Sequence, residues 1–229
     1  MKKFFLYTAF LLLPVMLHAQ VFTNPNVAIK PVRGLTIPRV VLTDSTTIVV
    51  IRIVNEQQLP PFSIKTRNLK IRKVSDPYNY KLIRAEKAPF HPQKHTFSHL
   101  NDILEFTLVF PALPPPVKYF DIIEETPQKD FYIQGIILDP DLNRAIGKGF
   151  SLYQKGDREG ALISFIDAAE MDLYFEYGMV YFNIIYLLAQ MNRWQEARDW
   201  YAKFKNRFFF DKSLLEMEFN RMGILSRLQ

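Results

Sequence analysis

The feature that most constrains the fold of this chain is a change in hydrophobic periodicity around Pro140. Before it, apolar and β-branched residues form short runs separated by turn formers, which is typical of strands. After it there is no further proline, and apolar residues recur every three or four positions, as in amphipathic helices. The pattern therefore predicts an all-β domain over residues 20–138, followed by an all-α domain over residues 139–229.

Six segments between residues 35 and 138 have the character of strands. The segment 46–54 (TTIVVIRIV) is dense in β-branched residues, as expected of a buried strand. The segment 103–110 alternates between two faces and stops at Pro111, which cannot donate to a sheet ladder. Short strands separated by turns favour an antiparallel β-sandwich of the Ig-like kind. The remaining predicted strands are 69–74, 80–85, 119–123 and 131–138.

Five helical stretches follow in the second domain. Turn-forming residues separate most of them, for example Gly156-Asp157 and Met191-Asn192. Because the links between them are short, successive helices are expected to pack as antiparallel neighbours. The predicted helices are 141–155, 157–171, 175–191, 193–207 and 211–228.

An internal repeat is visible in the helical domain. Gly149, Gly156, Ala161, Phe165 and Ala168 have a spacing that strongly resembles a tetratricopeptide repeat (TPR). In such a repeat, small residues lie where the two helices of a hairpin approach closely.

A second, less regular copy begins at Asn192. Its Ala197 follows Ala161 by 36 residues, near the usual period of about 34. The copy departs from the pattern at Ile185 and Phe204, where smaller residues are usual. The last stretch would be a capping helix. Two repeats leave a hydrophobic face that the β domain or a partner has to cover.

The resemblance to TPR proteins implies a binding scaffold, because the first helix of each hairpin lines a concave groove. On this basis the candidate partner-binding residues are Phe150, Tyr153, Phe182 and Tyr186. An aromatic groove suits an apolar or peptide ligand. The alternative is that these rings pack against the β domain, since aromatic residues at helical spacing usually belong to a core. The other groove positions are Asn143, Ile146, Gln154, Met179 and Gln190.

Segments 46–54, 108–114 and 131–138 share a hydrophobic patterning within the β domain. In this patterning the β domain resembles an N-terminal module of secreted Bacteroidota proteins. It implies a location in a gram-negative envelope, in the periplasm. Some chains with such a module continue into a thioredoxin-like domain, but this chain has no cysteine and cannot carry out thiol chemistry.

The N-terminus has the pattern of a secretory signal peptide. Lys2 and Lys3 precede an apolar run over residues 4–17, and the small residue Ala19 stands where signal peptidase would cut. The run is shorter than the roughly 20 residues of a spanning helix, which makes a retained anchor the weaker alternative. Residues 1–19 are therefore predicted to be removed. Without cysteine the mature chain cannot be a lipoprotein, and it is expected to be soluble in the periplasm.

Composition and charge narrow the class of function. A hydrophobic content of 48% fits a packed globular protein. Removal of Lys2 and Lys3 lowers the formal charge from +6 to +4. Residues 65–73 hold the densest group of cations, but there is no strong basic stripe, so nucleic-acid binding is not expected. A charge of this size supports only weak, unspecific attraction to anionic envelope surfaces.

Three histidines form the only candidate metal site. His91, His95 and His99 are spaced as zinc ligands on a helix would be, and Asp102 could add an oxygen ligand. Pro92 favours a loop, however, where this spacing loses its meaning. The three histidines are thus at most a weak candidate, and no metal or cofactor is predicted.

The other polar and aromatic groups are expected to have structural roles. Glu124 and Glu125 would point to opposite faces of a strand, and Asp139 would start a helix, so solvated acids are expected rather than a catalytic carboxylate pair. The chain has no Gly-rich phosphate loop and no nucleophile elbow. The phenylalanines of residues 208–210 are expected to pack in a core, with an exposed partner patch as the alternative.

These features predict a non-enzymatic, two-domain protein that acts as a scaffold or accessory subunit and binds another envelope protein or a peptide in its helical groove. The alternative function is binding of a glycan or a metal by the β-sandwich. An exposed groove would favour the first. Two histidines within coordination reach, or aromatic rings exposed on a sheet face, would favour the second.

Overall fold

The computed structural model describes residues 19–73, 78–125, 131–171 and 175–229. Within these ranges strands come first and helices follow, which confirms a mixed architecture. The predicted signal peptide, residues 1–19, lies outside the described residues except for Ala19. The strands are β1 (Gln20–Thr23), β2 (Val27–Ile29), β3 (Leu35–Leu42), β4 (Thr46–Val54), β5 (Leu69–Arg72), β6 (Asn79–Lys81), β7 (Arg84–Glu86), β8 (Ile103–Pro111), β9 (Tyr119–Glu124) and β10 (Tyr132–Ile137). The helices are α1 (Pro140–Gln154), α2 (Arg158–Met171), α3 (Met179–Gln190), α4 (Trp194–Asn206), α5 (Lys212–Arg221) and α6 (Leu225–Leu228).

The strands form two five-stranded sheets. Sheet A has the order β1-β3-β4-β8-β7, and sheet B has the order β2-β10-β9-β5-β6. Every pair of neighbouring strands in these sheets is antiparallel. The predicted antiparallel arrangement is thereby confirmed.

One hydrophobic core lies between the two sheets. β4 and β8 pair along their full length of nine residues and form the centre of sheet A. Val49, Ile51 and Ile53 of β4 are fully buried in this core, because alternate side chains of a strand point to the same face. Phe120 and Ile122 of β9 enter the core from sheet B.

At each side of the sandwich the chain crosses from one sheet to the other. The N–H of Leu82 donates to Leu69 in sheet B, and the N–H of Ile83 donates to Val109 in sheet A, both at 2.8 Å. The prediction of a single strand over residues 80–85 is therefore wrong, because its two halves pair with different sheets as β6 and β7. β1 and β2 make the same crossing at the opposite edges. They were not predicted, since three or four residues are too few to reveal a period.

The outer face of sheet B packs against the helices. Ile137 of β10 belongs to the hydrophobic core of the helices, not to that of the sandwich. The β10–β9 pairing is irregular around Gly135, which has φ of +64°. A Cβ at this position would lie 2.8 Å from the ring of Tyr177. The glycine thus permits both the bulge and the close approach of the helical part.

A buried hydrogen-bond cluster joins the sandwich to the helices. Asp121 of β9 is 1% exposed, and its Oδ1 accepts from the Tyr177 hydroxyl at 2.6 Å and from the Gly135 N–H at 2.8 Å. The Arg72 guanidinium donates to Oδ2 at 2.7 Å. Burial raises the pKa of Tyr177 far above its ordinary value, so its hydroxyl remains protonated and donates. Such charge-assisted hydrogen bonds are stronger than neutral ones and have a defined geometry.

The helices begin where the sequence pattern places them. Asp139 caps α1 as predicted, accepting from the N–H groups of Asp141 and Leu142, and Pro140 occupies the first turn. The predicted stretches agree within one residue with α1, α2 and α4. The third predicted stretch starts at residue 175, whereas α3 begins at Met179, and the last stretch divides into α5 and α6 at Gly223 (φ +71°). α1 packs against α2, α2 against α3, and α3 against α4. Among the described residues, no helix has the length and apolar character needed to cross a membrane.

Candidate partner-binding groove

The four predicted groove residues lie on the first helices of the two hairpins. Phe150 and Tyr153 are on α1, and Phe182 and Tyr186 are on α3. Tyr153 is exposed, and the other three are half-buried. Phe150 packs edge-on against Phe165, whereas Tyr186 stacks on Phe182 and shares Gln190 with Tyr153. Phe150 is thus separate from the other three and lines a cleft that faces the sandwich.

Tyr153, Tyr186 and Gln190 form a hydrogen-bonded cluster, which is called the open part of the candidate groove because Tyr153 is exposed. The Gln190 Nε2 lies 2.6 Å from the Tyr186 hydroxyl and 3.2 Å from the Tyr153 hydroxyl. Burial, followed by the contact with Tyr153, raises the pKa of Tyr186, which keeps its hydroxyl protonated. Within the described residues, Gln190 Oε1 is buried and has no hydrogen-bond partner. A buried acceptor without a partner costs free energy of folding.

Phe182 connects the groove to α5. Its ring stacks on Phe219 with the centroids 4.8 Å apart, and on Tyr186 at 6.2 Å. Phe219 is fully buried. Phe182 therefore contributes to the packing of α3 against α5 as well as to the groove surface.

Phe150 lies in the part of the groove that faces the sandwich. With Met179 it lines a cleft of about 340 Å³, whose opposite wall is the segment from β1 to β3. Asn26 closes one end of the cleft: its N–H donates to Asn143 Oδ1 at 2.8 Å, and its Nδ2 donates to the Asn143 carbonyl at 3.1 Å. Asn143 Nδ2 also donates to the carbonyl of Ile137. Here the sandwich covers the inner face of α1.

Two cations lie beside the groove. The Lys30 ammonium lines the cleft and donates to the Leu35 carbonyl at 2.8 Å. Desolvation lowers the pKa of Lys30, and the nearby Glu56 opposes this effect. The charge of Arg158, at the start of α2, acts on the Tyr186 hydroxyl. Both cations would favour a partner that carries acidic residues.

The histidines of the weak metal candidate lie in a loop. The ring of His95 packs edge-on against Phe97 at 4.7 Å, while His91 and His99 are exposed. Asp102 accepts hydrogen bonds from two backbone N–H groups of its own loop. In the part of the chain that the structure describes, no group of three His, Cys, Asp or Glu side chains could hold a metal ion.

The two neighbouring glutamates point to opposite faces of β9 and its continuation. Glu125 is exposed and pairs with Lys70 at 2.8 Å. Glu124 is 1% exposed and accepts from the N–H groups of Thr66 (2.6 Å) and Phe131 (3.1 Å). The prediction that both acids are solvated is wrong for Glu124. Its buried carboxylate accepts hydrogen bonds from the loops that precede β5 and β10.

The phenylalanines of residues 208–210 differ in their surroundings. Phe209 is 4% exposed and stacks on Phe204 with the centroids 5.5 Å apart. Phe208 and Phe210 are exposed, with their rings 5.1 Å from each other. The predicted core packing therefore applies to Phe209 and is wrong for the other two.

The sequence pattern did not reveal the role of Asp121 or of Lys30. For Asp121 a signal was present, because a single acid inside an otherwise apolar strand needs buried partners. For Lys30 there was none, since β2 is only three residues long.

No family model matches the sequence, and a comparison with curated proteins finds no match.

Proposed function

We propose that this protein is a non-enzymatic scaffold or accessory subunit of the cell envelope, which binds another envelope protein or a peptide in the groove of a TPR-like helical domain. The observation that carries the proposal is the open part of the groove, where Tyr153 and Tyr186 are joined by Gln190. Tyrosine combines an apolar ring with a polar tip, which suits it to protein contacts.

In this proposal the β domain is an Ig-like sandwich that holds the groove in a constant orientation. The cluster around Asp121 supports this role, because it joins sheet B to the helical part through buried hydrogen bonds. Export by removal of residues 1–19 and action in the periplasm belong to the same proposal. Their support is the signal-peptide pattern and the lack of cysteine.

Photo-crosslinking from the groove tests the proposal. A photoreactive amino acid is placed at Tyr153 in residues 20–229 and, as a control, at Ile163, which is 58% exposed on α2. In envelope extract, we expect a discrete crosslinked partner from position 153 and not from position 163. The same products from both positions, or none from position 153, would contradict the proposal.

A double variant then measures the contribution of the groove. Tyr153→Ala plus Tyr186→Ala should weaken binding of the purified partner at least about tenfold, while circular dichroism shows an intact fold. Phe182 is left unchanged because it stacks on Phe219. Ile163→Ala should bind like wild type, and equal affinity of the double variant and the control would show that the partner binds elsewhere.

A further inference from the structure

The turn between α4 and α5 presents two phenylalanines to solvent. Phe208 is 69% exposed and Phe210 is 45% exposed, and their rings meet edge to face at 5.1 Å. Neighbouring large apolar side chains at the tip of a turn are uncommon on a protein surface and usually mark a contact site. Residues 208–210 form this aromatic turn.

The aromatic turn is anchored at its base. Phe209 is buried against Phe204, and the N–H of Phe210 donates to the Glu176 carbonyl at 2.9 Å. Immediately after the turn, Asp211 Oδ1 accepts from the Gly178 N–H at 2.7 Å. Because the backbone is already held in place, binding through the exposed rings needs little further ordering of the chain.

Cationic side chains precede and follow the aromatic turn in the chain. The Lys212 ammonium donates to the Lys205 carbonyl at 2.9 Å, which brings the chain on both sides of the turn together. From the sandwich, the Arg72 guanidinium, which is paired with Asp121, lies 5.5 Å from the centre of the Phe210 ring. The acid paired with Lys205 is Glu216, at 2.8 Å. The four cations that flank the turn in sequence are Lys203, Lys205, Arg207 and Lys212.

We propose that the aromatic turn and its flanking cations bind an anionic phospholipid surface. Phe208 enters the boundary between headgroups and acyl chains, and the cations lie among the lipid phosphates. Exposed rings alone would fit any apolar partner. The surrounding positive charge favours anionic lipid, because aromatic residues flanked by Lys and Arg bind at the membrane interface. The turn shares no residue with the groove, so membrane contact and partner binding are separate properties.

Vesicle co-sedimentation tests the proposal. Residues 20–229 contain every strand and helix described and exclude the apolar N-terminal run. They should bind vesicles of phosphatidylcholine mixed with phosphatidylglycerol, bind phosphatidylcholine alone more weakly, and lose affinity with added salt. Phe208→Ser should reduce the partition coefficient about tenfold. Lys203→Gln plus Lys212→Gln should remove most of the preference for anionic lipid.

Matched controls remove exposed groups of the same kind elsewhere. Ile163→Ser removes a 58% exposed apolar side chain from α2, and Arg84→Gln removes a 58% exposed cation from β7. Both should bind vesicles like wild type. So should Tyr153→Ala plus Tyr186→Ala, which separates this proposal from the groove.

Three results would overturn the proposal. One is no binding to mixed vesicles at low salt. Another is equal binding by wild type and Phe208→Ser, or an equal loss with Ile163→Ser. The third is an oligomer of the wild type that Phe208→Ser converts to monomer in light scattering, with vesicle binding unchanged, which would make the aromatic turn a contact between protein chains.

Discussion

At the scale of single residues, the buried carboxylates differ in how completely they are satisfied. Glu124 accepts two backbone N–H groups, and Asp121 accepts hydrogen bonds from three other residues. Asp211 is 2% exposed and accepts from the Gly178 N–H, while its Oδ2 has no partner within the described residues. Burial consequently raises the pKa of Asp211 to about 6.

This raised pKa predicts a pH-dependent stability that Asp211→Asn would remove. The pKa of Asp211 is higher in the folded state than in the unfolded state, where it lies near 4. The contribution of the protonated Asp211 to stability is therefore complete below about pH 4, and it is lost as the pH rises through about 6. Asn retains the acceptor for the Gly178 N–H. Asp211→Asn should raise the free energy of unfolding by on the order of 2 kcal/mol at about pH 7.5, with little effect at about pH 4.

Urea denaturation of wild type and variant at the two pH values measures this difference. Asp199→Asn, at an exposed acid on α4, is the matched control and should change neither value appreciably. A gain of equal size for Asp211→Asn at both pH values would show that ionisation of Asp211 is not its cause.

At the scale of elements, β10 contributes to two hydrophobic cores. Ile133 and Ile136 face the sandwich, whereas Ile137 packs with the helices. The bulge at Gly135 permits this arrangement, because it changes the register of β10 against β9 and leaves space for Tyr177.

Two glycine substitutions separate backbone strain from steric contact. Gly135→Ala should lower the free energy of unfolding by about 3 kcal/mol, since its methyl group would lie 2.7 Å from the Ala28 Cβ and the residue has positive φ. Gly156 also has positive φ, but a Cβ added there would meet no atom within 4 Å. Gly156→Ala should therefore lower the free energy of unfolding by only about 1 kcal/mol. Denaturation curves measure both. Equal losses would mean that the close approach at Gly135 relaxes without cost.

Elements that satisfy their own periodicity could be predicted from sequence. β4 is nine residues dense in β-branched side chains, and α1 has a capping Asp139 followed by Pro140. The segment 80–85 has an equally plausible strand pattern, yet it divides between two sheets. Local pattern cannot distinguish these outcomes, because the partners of a strand are distant in sequence.

At the scale of the whole molecule, the protein has three layers: sheet A, sheet B and the helices. Sheet B packs on both faces, against the sandwich core on one side and the helical core on the other. The contact between sheet B and the helices is apolar around Ile137 and polar around Asp121. The layers should therefore unfold together.

Tyr177→Phe tests the polar part of this contact. Loss of the hydroxyl leaves Asp121 with one donor fewer in a buried site, so the free energy of unfolding should fall by about 1–3 kcal/mol. Tyr201→Phe is the control and should cost less, since its hydroxyl is 3.4 Å from Glu216, whose carboxylate is partly exposed and also pairs with Lys205. Both tryptophans lie in α4, so fluorescence follows the helices while circular dichroism follows all layers. Separate transitions by the two probes in wild type would contradict coupling between the layers.

The sequence by itself determined that strands precede helices, the bounds of most helices and the two longest strands, because these depend on periodicity and capping among near neighbours. Only the tertiary structure decided that Phe150 faces the sandwich, that Glu124 is buried and that Phe208 is exposed. These depend on contacts between residues far apart in the chain: Asn26 and Asn143, which close the cleft, are separated by 117 positions, and Asp121 and Tyr177 by 56. No local pattern records which distant groups meet, since that is set by how whole layers pack.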